Sequence, residues 1–182
     1  MCILIVKPAG AKMPSLTTLR ACHQANPDGM GFATKSRSFK TLKFSEFVEQ
    51  LGKVPENEAC IIHFRFATQG SVNLDNCHPF FSGADGGVFF AHNGCLPYYP
   101  KNDITDSEYV FKTVFVPYIK RYGFGSKALA EAVQTIIGGS KFAFLHVPTG
   151  NVRMFGNFEN YNGCYYSNFR WMAYVRKKLV WL

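Results

Sequence analysis

The order of strand-like and helix-like segments predicts an α+β fold, with antiparallel sheets layered together and helices outside. Three observations carry this. Strand candidates come first, two adjacent helices follow mid-chain, and strands then return, so β and α do not alternate as in a doubly wound fold. The 18 Phe and 9 Tyr favour sheet-rich structure. With 182 residues, 47% hydrophobic and 18% charged, the chain suits one domain with a sizeable core. No internal repeat, low-complexity linker, G-x-G-x-x-G or phosphate-loop pattern disturbs that reading.

The first strand is Met1-Cys2-Ile3-Leu4-Ile5-Val6-Lys7, an apolar run with the length and β-branching of a buried strand. A short helix follows from Pro14 and Ser15, ended by Asn26-Pro27-Asp28-Gly29. Residues 30–33 read as a strand, and Gly29 and Gly31 imply a tight turn or the close approach of a neighbour. Residues 39–44 form another strand candidate, with Ser45 as N-cap of a helix carrying Phe47, Val48 and Leu51. Residues 58–66 are a strand, 71–87 an irregular stretch, and 88–91 a buried strand stopped at His92-Asn93-Gly94. Thr105 caps a helix with Glu108 three residues on, as in a capping box. That helix is expected to bury Val110, Phe111, Val114 and Phe115 and to kink or end at Pro117. Residues 126–137 make a second helix, closed by Gly138-Gly139. Residues 141–147 and 152–155 read as a hairpin. From about residue 165 the chain is an aromatic, basic tail, ambiguous between strand and helix, and the whole of 1–182 is expected to be one domain.

Composition bounds the function. The apolar start stops at Lys7 and Pro8 with no basic segment before it, unlike a secretory signal, and no apolar run reaches the ~18–20 residues of a membrane span. A cytoplasmic protein is expected. The cysteines at 2, 22, 60, 77, 95 and 164 include no C-x-x-C pair and read as free thiols. Cys60 and His63 with Cys77 and His78 have the wrong spacing for a structural zinc site, and neither metal nor cofactor is expected. The net charge of +8 would suit an anionic partner, nucleic acid or an acidic protein. The positive charges gather in 35–43 and 170–178 without a nucleic-acid motif, so solvated loops and a basic tail are the plainer reading.

The chemistry starts at Cys2. If Met1 is removed, one residue carries both a thiol and a free α-amine, so nucleophile and base coincide. Such an amine titrates near ~7.7–8.0 and can take the thiol proton directly or through one water. A buried hydrophobic Cys is the plain alternative. Three further clusters fall at strand ends or helix starts. In His63-Phe64-Arg65-Phe66-Ala67-Thr68, period-two alternation puts His63 and Arg65 on one face, and Arg65 can grip a carboxylate bidentately. In His92-Asn93-Gly94, the Asn93 amide and the Gly94 backbone N–H can form a two-donor oxyanion hole, although Asn-Gly is also a turn signal. Asp106, at a helix start, can hold a substrate ammonium or simply complement the helix dipole. Thiol, oxyanion hole, carboxylate clamp and ammonium clamp together are what hydrolysis of the side-chain amide of a free α-amino acid needs.

Cys2, Asp28-Gly29-Met30-Gly31, His63 to Gly70, Asn76-Cys77-His78-Pro79-Phe80, His92-Asn93-Gly94 and Thr105-Asp106-Ser107-Glu108 resemble, in order and approximate spacing, the class II glutamine amidotransferase domain of the N-terminal nucleophile hydrolases. The resemblance implies a four-layer αββα sandwich of antiparallel sheets and hydrolysis of L-glutamine to glutamate and ammonia. It implies Cys2 as nucleophile, Asn93 and Gly94 at the oxyanion, Arg65 on the α-carboxylate, Asp106 on the α-ammonium, and Thr68 and His78 lining or supporting the pocket. Phe66 stands where family members often have Trp or Tyr, and Gln69 where some have His; both changes bear on loop closure. The chain after Asp106 suffices to finish the sandwich and no more, so the ammonia is expected to pass to a separate acceptor subunit. The alternative is a catalytically inactive or repurposed protein on this fold that binds a partner protein or nucleic acid.

Overall fold

The computed structural model describes residues 1–98 and 103–179, with side chains to 175. Strand β1 (Ile3–Lys7) lies inside a six-stranded antiparallel sheet of order β3-β2-β4-β1-β10-β9. Its neighbours are β4 (Cys60–Phe64) and β10 (Cys164–Tyr166), and β2 (Met30–Ala33), β3 (Ser38–Thr41) and β9 (Glu159–Tyr161) complete the sheet. The second sheet has order β5-β6-β7-β8, from β5 (Phe80–Ser82), β6 (Val88–Asn93), β7 (Lys141–His146) and β8 (Val152–Phe155).

Alternation along the strands builds four layers. Ile3, Ile5, Ile62 and Phe64 face helices α1 (Leu16–Ala25), α2 (Phe44–Leu51) and α6 (Met172–Leu179), where Leu19, Phe47 and Trp171 join them. Leu4, Val6 and Ile61 face the other sheet and pack on Ala91, Ala143 and Leu145. Val88, Phe90, Phe142 and Phe144 face α3 (Asp106–Val110), α4 (Val116–Tyr122) and α5 (Lys127–Ile136). This is the αββα sandwich that the resemblance implied. Because β1 and β4 are buried on both faces, they read as near-continuous apolar runs.

Several elements differ from expectation. Helix α2 starts at Phe44 with Lys43 as an N-cap whose side chain makes no capping hydrogen bond, so Ser45 is inside the helix and not its cap. The strand before it stops at Thr41, whose hydroxyl donates to Glu46 in the first turn of α2. The stretch 71–87 contains β5, too short to show periodicity. Thr105 caps α3 by accepting from Glu108 N at 3.2 Å, but the Glu108 carboxylate pairs with Lys112 and does not reach back. Pro117 neither ends nor breaks the helix. A wide-turn segment, Phe111–Phe115, joins α3 to α4 and changes the hydrogen-bond register before the residue that lacks an N–H. The stretch from 165 enters the fold as β10, and Tyr166 and Trp171 are buried before α6 begins. Residues 99–102 of the loop before Thr105, and 180–182 of the tail, lie outside the described residues. Among the described residues no helix is long and apolar enough to cross a membrane.

Candidate active site

Strand β1 runs antiparallel to β4 with Ile3 opposite Phe64, so Cys2 emerges beside Arg65 at the end of the sheet. The half-buried thiol accepts from Phe66 N at 3.4 Å and lies 3.7 Å from Phe66 O. Burial pushes its pKa up; the Phe66 backbone bond, the N-terminal ammonium and Arg65 offset this in part. Met1 is exposed, and its carbonyl accepts from Asn26 Nδ2 at 2.9 Å.

Cys2 opens into a cleft whose wall includes Arg65, Thr68, His78, Gly94 and Asp106. Six of the seven residues named from sequence therefore meet there. The seventh, Asn93, ends β6 behind the wall with its side chain in the layer between the sheets, where Nδ2 lies 2.9 Å from Ser167 Oγ. The free space in the cleft is about 30 Å³, about what one water occupies in the liquid. A larger depression of about 540 Å³, lined by Lys40, Asp75, Asp103, Glu108 and Lys112, contains none of those seven. It is large because it is an open hollow between surface charges.

The walls have two builds. On the loop side, Arg65 follows the end of β4 and is 3% exposed. Its guanidinium donates to Ser71 O at 2.8 Å, Gln69 O at 2.8 Å and Gly70 O at 3.2 Å, wrapping its own loop around itself. Asp28 Oδ2 accepts from Ala67 N at 2.8 Å. Asp103 accepts from Ser71 N at 2.6 Å and also from the Ser71 hydroxyl, Asn73 and Asn76. These bonds hold its carboxyl below the usual carboxylate range. No carboxylate pairs with Arg65, and no Lys or Arg with Asp106, among the described residues.

On the sheet side the groups are buried. Asp106 Oδ2 accepts from Leu96 N at 2.8 Å and Oδ1 from Ser107 N at 2.7 Å. The Ser107 hydroxyl lies 3.1 Å from Asp106 Oδ1 and 2.7 Å from His92 Nδ1. His63 Nε2 bonds His92 O at 3.0 Å, tying the two sheets together, while His78 packs on His63 with ring centroids 4.3 Å apart. Burial, the largest cause for each ring, pushes His63 down to about 3, His92 to about 4, and His78 well below its ordinary value. All three are neutral near neutral pH. Among the described residues His78 has no hydrogen-bond partner on either ring nitrogen.

The glycine pair at 29 and 31 explains how His78 reaches the cleft. A Cβ on Gly29 would strike Cys77 Sγ, and one on Gly31 would strike the His78 carbonyl. Gly94, at φ 150°, is crowded by Ser140 and His92. Sequence reading missed Asp28, Gln69, Asp103, Ser107 and Ser167 as site supports. Asp28, Gln69 and Ser107 sat in the quoted motifs, whereas Asp103 and Ser167 carried no local signal. All six cysteines are free, and no group of three or more His, Cys, Asp or Glu among the described residues could hold a metal.

Comparison with known families gives one match: residues 23–148, well over half of the chain, fit the model for glutamine amidotransferases class-II. Cys2 and Ser167 lie outside the matched span. No curated protein matches the chain by sequence. Among solved structures it is similar to the glutamine phosphoribosylpyrophosphate amidotransferase of B. subtilis, complexed with ADP and GMP. That likeness has 17% identity and a TM-score of 0.61, over 97% of this chain and 44% of that one. It is also similar to an allosteric regulatory enzyme of purine biosynthesis, at 18% identity and a TM-score of 0.54, over 81% of this chain and 36% of that one. At these identities the likeness is one of fold, and the chain spans less than half the length of either enzyme.

Proposed function

The chain belongs to the class-II glutamine amidotransferase family, and on that premise we propose that it is a single domain that hydrolyses L-glutamine to glutamate and ammonia at Cys2. The observation that carries the reading is charge placement. A guanidinium with no acid partner and a carboxylate with no basic partner, among the described residues, stand on the walls of the cleft that holds the thiol. A free α-amino acid offers the complementary pair.

Removal of Met1 is required, because while it remains the Cys2 nitrogen is an amide and cannot act as a base. In the mature chain the α-amine takes the Sγ proton and the thiolate attacks the side-chain carbonyl of glutamine. Gly94 N–H and the Asn93 amide hold the oxyanion. As the tetrahedral adduct collapses, the C–N bond breaks and the α-ammonium returns the proton to the departing ammonia. Water, activated by the same amine, then cleaves the thioester and releases glutamate. Arg65 binds the α-carboxylate and Asp106 the α-ammonium, with Thr68 and His78 lining the pocket. His78 supplies an uncharged wall because burial keeps it neutral. The ammonia passes to a separate synthase subunit in the cytoplasm.

The test is an intact mass followed, on the same sample, by glutamate release from L-glutamine. A mass lacking Met1 with turnover supports the reading. Absence of turnover in a sample lacking Met1 removes it and favours the repurposed protein.

A further inference from the structure

Ser167, directly after β10, joins the two sheets behind the cleft. Its Oγ lies 2.9 Å from Leu4 N on the nucleophile's strand and 2.9 Å from Asn93 Nδ2 on β6. Its own backbone N–H donates to Leu4 O at 2.9 Å. The next residue, Asn168, donates from Nδ2 to Cys2 O at 2.9 Å and approaches Ser167 Oγ at 3.4 Å. Two adjacent residues thus hold the backbone of Cys2 and Leu4 and the amide of Asn93.

The donor count at this junction does not balance. Three N–H groups point at Ser167 Oγ, and its own proton has no acceptor among the described residues. Buried Asn93 Oδ1, meanwhile, has no donor among the described residues. A half-turn of the Asn93 carboxamide corrects both faults, since its two ends are alike in shape. The Ser167 hydroxyl then donates to Oδ1, and Leu4 N and Asn168 Nδ2 share the hydroxyl lone pairs. Nδ2 takes the place of Oδ1, with both protons free for another acceptor.

Resting on the glutaminase reading above, we propose that Ser167 is a positioning residue for the oxyanion hole: its hydroxyl holds Asn93 Oδ1, so that Nδ2 faces the reacting carbonyl. An unanchored carboxamide would spend part of its time presenting its oxygen to the oxyanion, which repels it. Ser167 acts through Asn93 and touches no reacting atom.

Kinetics of the Met1-free protein test the role. Ser167→Ala should lower kcat roughly ten- to hundredfold, the range for one buried hydrogen bond, with KM for glutamine little changed. Ser167→Thr, which keeps the hydroxyl, should recover most of the loss. In an Asn93→Ala background Ser167→Ala should cost far less than it does alone, because the group it orients is gone and only its bond to Leu4 N remains to be lost. Losses that multiply in the double variant, or a rise in KM alone, would overturn the proposal in favour of a general packing role. Neutron diffraction of deuterium-exchanged wild-type protein gives a readout independent of turnover. A deuteron on Ser167 Oγ directed at Asn93 Oδ1 is the expected result, and an ND2 group facing Ser167 overturns it. A wild-type protein that shows the expected deuteron but releases no glutamate keeps the arrangement and sinks only the glutaminase reading.

Discussion

The two walls of the cleft are built to different standards. The sheet wall, with Cys2, Gly94 and Asp106 in front and Asn93 behind, hangs from strand ends, the start of α3 and buried bonds between layers. The loop wall, with Arg65, Phe66 and Thr68, is a turn folded around one guanidinium and latched at its far end by surface-exposed Asp103. Phe66 is 45% exposed and Arg65 only 3%. On the glutaminase reading, the difference separates two jobs. Reacting atoms need fixed geometry, because a displacement of about 1 Å costs on the order of 10²-fold. Substrate entry needs movement, because the free space in the cleft, about 30 Å³, is small for an amino acid.

The comparison breaks outright if the fixed wall carries no chemistry. Cys2→Ala should abolish glutamate release while the melting temperature stays near that of the parent, and retained turnover would end the reading. Next in size, Asn93→Ala should lower kcat by ~2.7–4 kcal/mol in activation free energy with a small change in KM, as for loss of an oxyanion donor. Steady-state kinetics distinguish this from a binding defect.

Loop-wall changes should act on KM instead. Arg65→Met removes the carboxylate clamp and three bonds to loop carbonyls, and should raise KM by tenfold or more. Asp103→Ala leaves the clamp and releases the latch. It should raise KM severalfold, leave kcat near that of the parent, and increase hydrogen exchange at residues 66–71. A fall in kcat equal to that of Asn93→Ala would show that the loop also sets reaction geometry.

The smallest effect concerns stability. His63 and His92 titrate near 3 and 4 when folded and near the ordinary 6.5 when unfolded. Below pH 6.5 the unfolded chain binds more protons, so their contribution is fully present above that value. It is lost as pH falls toward the folded values. Unfolding free energies from urea titrations should drop between pH 7 and pH 5, by at most about 2 kcal/mol per histidine. A flat profile would mean that the layer between the sheets is wetter than its packing implies.

How legible each wall was follows from the range of its interactions. Strand β1, the helix starts near Ser15 and Ser126, the cap at Thr105, and the choice of Arg65 and Asp106 as residues of one site could be read because local pattern and motif carry them. The strand pair β9 and β10 could not, since three-residue strands show no periodicity and β10 pairs with a segment at the opposite end of the chain. Arg65 was expected to share a strand face with His63, but β4 ends one residue before it and its side chain turns to the loop carbonyls. Ser45 looked like a cap, yet the Thr41–Glu46 bond starts the helix earlier. Asn93 could be named from its motif, but its partner lies far along the sequence and no spacing rule reaches it.

The position of β1 has a consequence in time. The strand that bears the thiol is the first made, yet one of its two sheet partners, β10, is among the last. While the chain is being synthesised, one edge of β1 lacks its ladder, and the junction at Leu4 cannot close until residues 164–167 are available. Pairing of such distant segments is slow to form. Folding should therefore end with the closing of the active site, and a chain shortened from its C-terminal end past β10 should lose the nucleophile's anchorage while keeping most of both sheets.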